Sequence, residues 1–197
     1  MEKFELKTFN IPELKGISAK NIEEHLKLYK GYVTNINLIF EKLGELMADP
    51  ASNALVIGEL HRRIGFEFNG MRNHEYYFAS LEGGAKPLAE SSLLKAELEK
   101  VPGSLDNALI GFKTLAMTKG VGWAVLYYDK QTKRLVPGWI DEQHMGTLTS
   151  LSPILMLDMW EHAFVYDYPT SEKKSYVEAF FANLNWEVIE QNFKNAQ

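Results

Sequence analysis

Apolar side chains recur at three- and four-residue steps along the first third of the chain, which is the signature of helices packed on one face. From about Ala19 to Met47 the positions Ile22, His25, Leu26, Tyr29, Tyr32, Val33, Ile36 and Phe40 trace such a stripe. Ser18 precedes it as an N-cap candidate, since a serine oxygen can accept from a free first-turn amide. Asp49-Pro50 interrupts the pattern, and a second stripe from about Ser52 to Leu81 carries Leu55, Leu60, Ile64, Phe68, Met71, His74, Tyr77, Phe78 and Leu81. Two long helices on a short link predict an antiparallel hairpin. Residues 1–17 read as extended, punctuated by Pro12 and Gly16.

Beyond Gly83-Gly84-Ala85-Lys86-Pro87 the pattern changes. Helical segments near 90–99 and 103–118 come first. Gly122–Asp129 then reads as a buried strand, Lys130–Lys133 as a turn, 134–140 as a second strand and Pro153–Asp158 as a third. A helix is expected from about Ser171 to Lys194. A short turn between strands favours antiparallel pairing. The predicted class is α+β: a helical hairpin domain at 1–84, then an α+β domain at 85–197 with a three-stranded antiparallel sheet flanked by helices, and a site between the two.

Composition narrows the function. Apolar residues make up 46% and charged residues 24%, ordinary values for a packed core. Cysteine is absent, which excludes disulfides and thiolate chemistry and fits a cytoplasmic protein. The net charge of −5 argues against nucleic acid as a partner. No apolar run reaches the roughly 18 residues of a membrane span, and MEKFELKTFN lacks the apolar segment of a secretory signal.

The histidines carry the chemistry. They stand at 25, 61, 74, 144 and 162. His61 is flanked by charge in Glu59-Leu-His-Arg-Arg63 and reads as a surface group. His25 and Tyr32, seven apart, share a helix face. His74 lies on the facing helix among aromatics, where an imidazole needs its nitrogens satisfied. Asp158 ends an apolar strand and His162 follows four residues later, so both can address one ion. Three neutral imidazoles and a carboxylate suit iron, manganese or zinc. Spacing alone leaves a metal site as one reading among others.

Asp158-Met-Trp-Glu-His-Ala163 resembles the D-x-W-E-H-A signature of the iron/manganese superoxide dismutases. Asn73-His74 with its following aromatics, Gly120-Val-Gly-Trp123, the stretches Ser18–His25 and Tyr32–Asn35, and Asn185-Trp-Glu187 resemble further segments of that family, in the same order. Phe78 stands where tryptophan is usual. The resemblance implies one Mn or Fe ion per subunit held by His25, His74, Asp158 and His162. It implies superoxide as substrate, Tyr32 in the substrate channel, and Trp123 and Trp160 as dry walls. It also implies a homodimer in which Glu161 reaches a ligand histidine of the partner. A non-catalytic structural protein on the same fold is the alternative, and a zinc hydrolase is a third reading without an evident general base.

The chain departs from the family pattern at several positions. Relatives place a hydrogen-bond donor to the metal-bound solvent either on the second helix or in the loop before the third strand. Here the helix position is Gly70, and the loop offers His144, which the alignment favours, or Gln143. Leu28 and Val165 replace a usual histidine and tyrosine and are expected to form an apolar patch beside the channel. The usual arginine near the channel mouth is missing, with Lys173 or Lys174 as replacements. Relatives separate the first ligand and the gateway tyrosine by eight residues, and this chain by seven. Seven steps bring the two side chains within about 20° of each other, eight about 80° apart, so a regular helix from His25 through Tyr32 is expected, without a π-bulge.

Overall fold

The computed structural model describes residues 2–101 and 103–197. Helix α1 spans Ala19–Leu46 and α2 spans Ala54–Ala79. Ser18 caps α1, its hydroxyl accepting from Asn21 N at 3.1 Å. The buried positions of α1 include Ile22, His25, Tyr29, Val33, Ile36, Ile39 and Leu43, the stripe the periodicity predicts. Across the link, Ser52 N donates to Asp49 Oδ1 at 3.2 Å, and the two helices pack antiparallel. The helix α1 is unbroken from His25 through Tyr32, as the seven-residue spacing predicts.

After the hairpin come α3, Leu93–Glu99, and α4, Leu105–Ala116. Ser92 and Ser104 cap them through their hydroxyls. Three strands follow: β1, Gly122–Asp129; β2, Arg134–Asp141; and β3, Ser152–Asp158. The sheet is antiparallel in the order β2-β1-β3, with β1 in the middle and buried along nearly its whole length. Its residues are buried on both faces and so read as a continuous apolar run. Gly122 pairs with Asp141, and a Cβ there would lie 2.0 Å from Ile140 O, so the start of β1 admits only glycine. Trp123 pairs with Asp158, which sets an indole beside the carboxylate that ends β3.

The C-terminus corrects one expectation. Instead of a single helix over 171–194, α5 spans Lys173–Ala182 and α6 spans Trp186–Ala196. The break at Asn183-Leu184-Asn185 is held by side-chain amides and by strand-like pairing with another segment. Asn183 Nδ2 donates to Lys15 O and Ala179 O, both at 2.8 Å. Lys86 N donates to Leu184 O at 3.0 Å, and Trp186 N to Lys86 O at 3.2 Å. Asn185 Oδ1 accepts from Glu187 N and starts α6. Local periodicity across 171–194 is helical, but these tertiary bonds override it. Among the described residues no helix is long and apolar enough to cross a membrane.

Candidate metal centre

Four elements deliver one side chain each. His25 comes from the second turn of α1 and His74 from the last turns of α2, both fully buried. Asp158 is the last residue of β3 and is also fully buried. The chain then turns sharply: Met159 N donates to Gly122 O at 2.8 Å and Trp160 N to Asp158 Oδ1 at 2.8 Å. That turn starts a 3-10 segment, Glu161–Ala163, which swings His162 back over the carboxylate it follows.

The four groups meet at Asp158 Oδ2. His25 Nε2 lies 3.0 Å from it, His162 Nε2 3.1 Å and His74 Nε2 3.6 Å. The ligand atoms all lie within 4.8 Å of one another. An ion about 2 Å from each would hold its ligands roughly 3 to 4 Å apart, which the three contacts to Asp158 Oδ2 already match, and the wider pairs need only draw in.

Protonation fits the same reading. His74 Nδ1 faces Gly70 O at 2.6 Å, and a carbonyl can only accept, so Nδ1 carries the hydrogen. Nε2 is left as a bare lone pair, buried and without a hydrogen-bond partner. Burial, with the neighbouring His25 charge adding to it, pushes the His74 imidazole down to about 3. Burial likewise lowers His25, against the opposing pull of Asp158. Burial alone would raise the Asp158 carboxyl, but His162 and His25 beside it hold it below the ordinary carboxylate range. His25 and His74 are therefore neutral imidazoles beside an ionised carboxylate, the ligating forms of both.

Aromatic rings close the surroundings. Tyr77 and Phe78 each lie 4.9 Å from the His25 ring, Trp123 lies 5.0 Å from His74, and Trp160 stacks on His162 at 5.6 Å. The Tyr32 ring is 5.1 Å from His74, and burial, followed by the charges of Asp158 and Glu67, holds its hydroxyl well above the ordinary phenol range. Gly70 makes room for that ring: a Cβ at Gly70 would lie 2.4 Å from Tyr32 Cδ1.

The loop before β3 sends Gln143 and His144 in different directions. Gln143 is fully buried, its Nε2 donating to the Tyr32 hydroxyl at 3.0 Å and its Oε1 accepting from Trp123 Nε1 at 3.0 Å. Asn73 Nδ2, next to the His74 ligand, donates to Gln143 O at 2.9 Å and fixes the loop. His144 instead packs its ring edge-on against Phe66 at 5.9 Å and lies over Gly65. The reason is local. Asp141 and Met145 exchange both backbone hydrogen bonds, with Glu142 at φ +52°, and this tight turn sends successive side chains in different directions. Of the two loop residues, it is Gln143 whose side chain reaches Tyr32, while the expectation favoured His144.

Glu161 is exposed at the start of the 3-10 segment. Leu28 and Val165 are about half exposed, at 42% and 45%. Lys173 Nζ donates to Thr118 O at 3.0 Å and sits 5.6 Å over the Trp139 ring, while Lys174 is exposed. Sequence reasoning missed the buried pair Tyr176 and Tyr77, whose hydroxyls are 3.3 Å apart, with Tyr176 donating to Asp158 O at 2.9 Å. Both tyrosines stand on apolar helix faces, where periodicity alone reads them as core. It also missed Asn73 as the anchor of Gln143.

Fold and cluster together define a mononuclear metalloprotein of α+β architecture. Comparison with known proteins narrows the class. Residues 90–192 match the profile described as iron/manganese superoxide dismutases, C-terminal domain. The chain is 37% identical over 188 residues to a "Superoxide dismutase [Fe]" of Aquifex pyrophilus, covering 93% of this chain and 87% of that protein. It is 33% identical over 175 residues to a "Superoxide dismutase [Mn]" of Mycobacterium lepraemurium, covering 87% and 82%. The chain belongs to the iron/manganese superoxide dismutases, a family of oxidoreductases.

Proposed function

We propose that this protein disproportionates superoxide, two superoxide anions and two protons giving dioxygen and hydrogen peroxide, with one Mn or Fe ion held by His25, His74, Asp158 and His162. The observation that carries the reading is the unpartnered His74 Nε2 lone pair aimed into a buried three-imidazole, one-carboxylate cluster. A bound ion would supply the one-electron redox chemistry that dismutation requires. The protein's residues do the rest. Trp123, Trp160 and Phe78 exclude water from the ligands and so strengthen every electrostatic contact there. Gln143 gives one amide hydrogen to Tyr32 and keeps a second for a group bound at the cluster. Tyr32 stands at the entrance, its hydroxyl kept protonated by burial and able to pass a hydrogen bond inward.

We further read residues 1–84 and 85–197 as two domains that contribute two ligands each. Glu161, Val165 and Tyr166 are exposed beside the ligand turn in the single chain, which supports reading that face as a homodimer contact. The absence of cysteine supports a cytoplasmic setting. The test is metal content and dismutation in His74→Ala and Asp158→Ala. Each variant is expected to lose stoichiometric metal and all activity above free ion. A variant with full metal and full rate would refute the site.

A further inference from the structure

The usual cation near the channel is absent from this chain, and Lys173 is engaged with Thr118 O. A different cation stands beside the gateway ring. Arg63 on α2 sits over Phe66, its guanidinium carbon 4.0 Å from the ring centroid. Phe66 in turn lies 6.0 Å from Tyr32 and 5.9 Å from His144. The neighbouring Arg62 is occupied by Glu59.

The pair has a direction. Arg63 Nε donates to Glu67 Oε1 at 2.8 Å, and Nη2 lies 2.7 Å from the same oxygen. The other carboxylate oxygen accepts from Asn35 Nδ2 at 3.2 Å. Glu67 is 3% exposed in its side chain and Arg63 45%. The carboxylate is the dry anchor and the guanidinium is the wet end. Phe66 on one side and Glu67 on the other leave the guanidinium little rotamer freedom, so its charge is fixed in place rather than swept through solvent.

We infer that Arg63, held by Glu67 and Phe66, is the steering residue that draws the anionic substrate to the Tyr32 gateway against the net charge of −5. The inference rests on the proposed dismutase reading. A buried negative end and an exposed positive end form a dipole whose field at the mouth attracts an anion, although the pair carries no net charge. Arg63 touches no ligand of the cluster in this arrangement, so its effect belongs to capture and not to the electron transfer that follows.

The test uses metal-loaded protein in three forms: Arg63→Gln, Arg63→Lys, and the double variant Arg63→Gln with Glu67→Gln. The double variant leaves no buried carboxylate unpaired and keeps the net charge of the chain, so neither misfolding nor bulk repulsion can imitate the effect. The single and double glutamine variants are expected to lose about threefold to tenfold in kcat/KM at low salt, with kcat unchanged, and the gap should close as salt screens the field. Azide, titrated by visible absorbance as a small anion that is not turned over, should bind correspondingly more weakly. Arg63→Lys should retain most of the salt slope. An active wild type beside a double variant with unchanged kcat/KM, salt slope and azide affinity would overturn the role of Arg63 alone. An inactive wild type would overturn the dismutase reading itself.

Discussion

The two halves of the centre are built on opposite principles. The hairpin offers His25 and His74 from the interiors of long helices, where both rings are fully buried. Dozens of helical hydrogen bonds and a packed stripe fix their positions before any ion arrives. The other half offers Asp158 and His162 from a strand end and a three-residue turn, and the His162 side chain keeps 21% of its exposure. Here position depends on a few bonds: Met159 N to Gly122 O, Trp160 N to Asp158 Oδ1, and Tyr176 to Asp158 O. One side is a rigid, dry wall. The other is a short hinge-like turn that also faces the proposed subunit contact. The difference suggests that the hairpin sets the size and dryness of the site, while the turn after β3 closes it.

The contrast breaks most sharply on acidification of the metal-free protein. His25 and His74 are held below the ordinary 6.5 by burial, His74 at about 3. Below pH 6.5 the unfolded chain binds protons that the fold refuses, so stability falls as pH falls. For each such imidazole the loss approaches about 1.4 kcal/mol per pH unit, continuing toward the depressed folded value. Thermal unfolding of metal-free protein should therefore drop steeply between pH 7 and 5, and His74→Leu should flatten that slope. A pH-independent melting temperature over that range would show that the hairpin histidines are not dry.

A smaller effect separates the neighbours in the loop. Gln143→Ala removes the bridge between Tyr32 and Trp123 and should lower dismutation by about tenfold or more with metal retained. His144→Ala removes a ring lying on Phe66 and should change the rate by much less. Kinetics on both metal-loaded variants decide the matter, and a larger loss in His144→Ala would reinstate His144 as the donor. The smallest effect is expected at Gly70→Ala. The new Cβ would press on the Tyr32 ring, costing about 1–3 kcal/mol of stability unless α1 shifts, and its melting curve measures this.

Much of this was legible in the sequence, and the reasons differ by region. The hairpin was readable because a 28-residue helix and a 26-residue helix repeat their stripe many times, so noise at any one position averages out. The strands were readable because β1 is buried on both faces and its partners are joined by a short turn or begin after a polar loop. The C-terminal break was not, since Asn183 and Asn185 are ordinary helix residues until Lys15, Ser80 and Lys86 reach them from elsewhere in the chain. That Gln143 rather than His144 reaches Tyr32 was not legible for the same kind of reason. Which of two adjacent loop residues points inward depends on a one-residue turn geometry and on the Asn73 bond, and neither leaves a periodic trace. The Arg63–Glu67 pair reads as an ordinary i,i+4 surface pair until burial of the carboxylate and the place of Phe66 are known.

The central claim is that the two halves close on one redox ion and turn over superoxide. Stopped-flow decay of superoxide by protein loaded separately with manganese and with iron, at one ion per chain, measures this most directly. The account predicts first-order decay that scales with loaded protein, far faster than the same concentration of free ion, for at least one of the two metals. Decay no faster than free ion with both metals, at full occupancy, would contradict it.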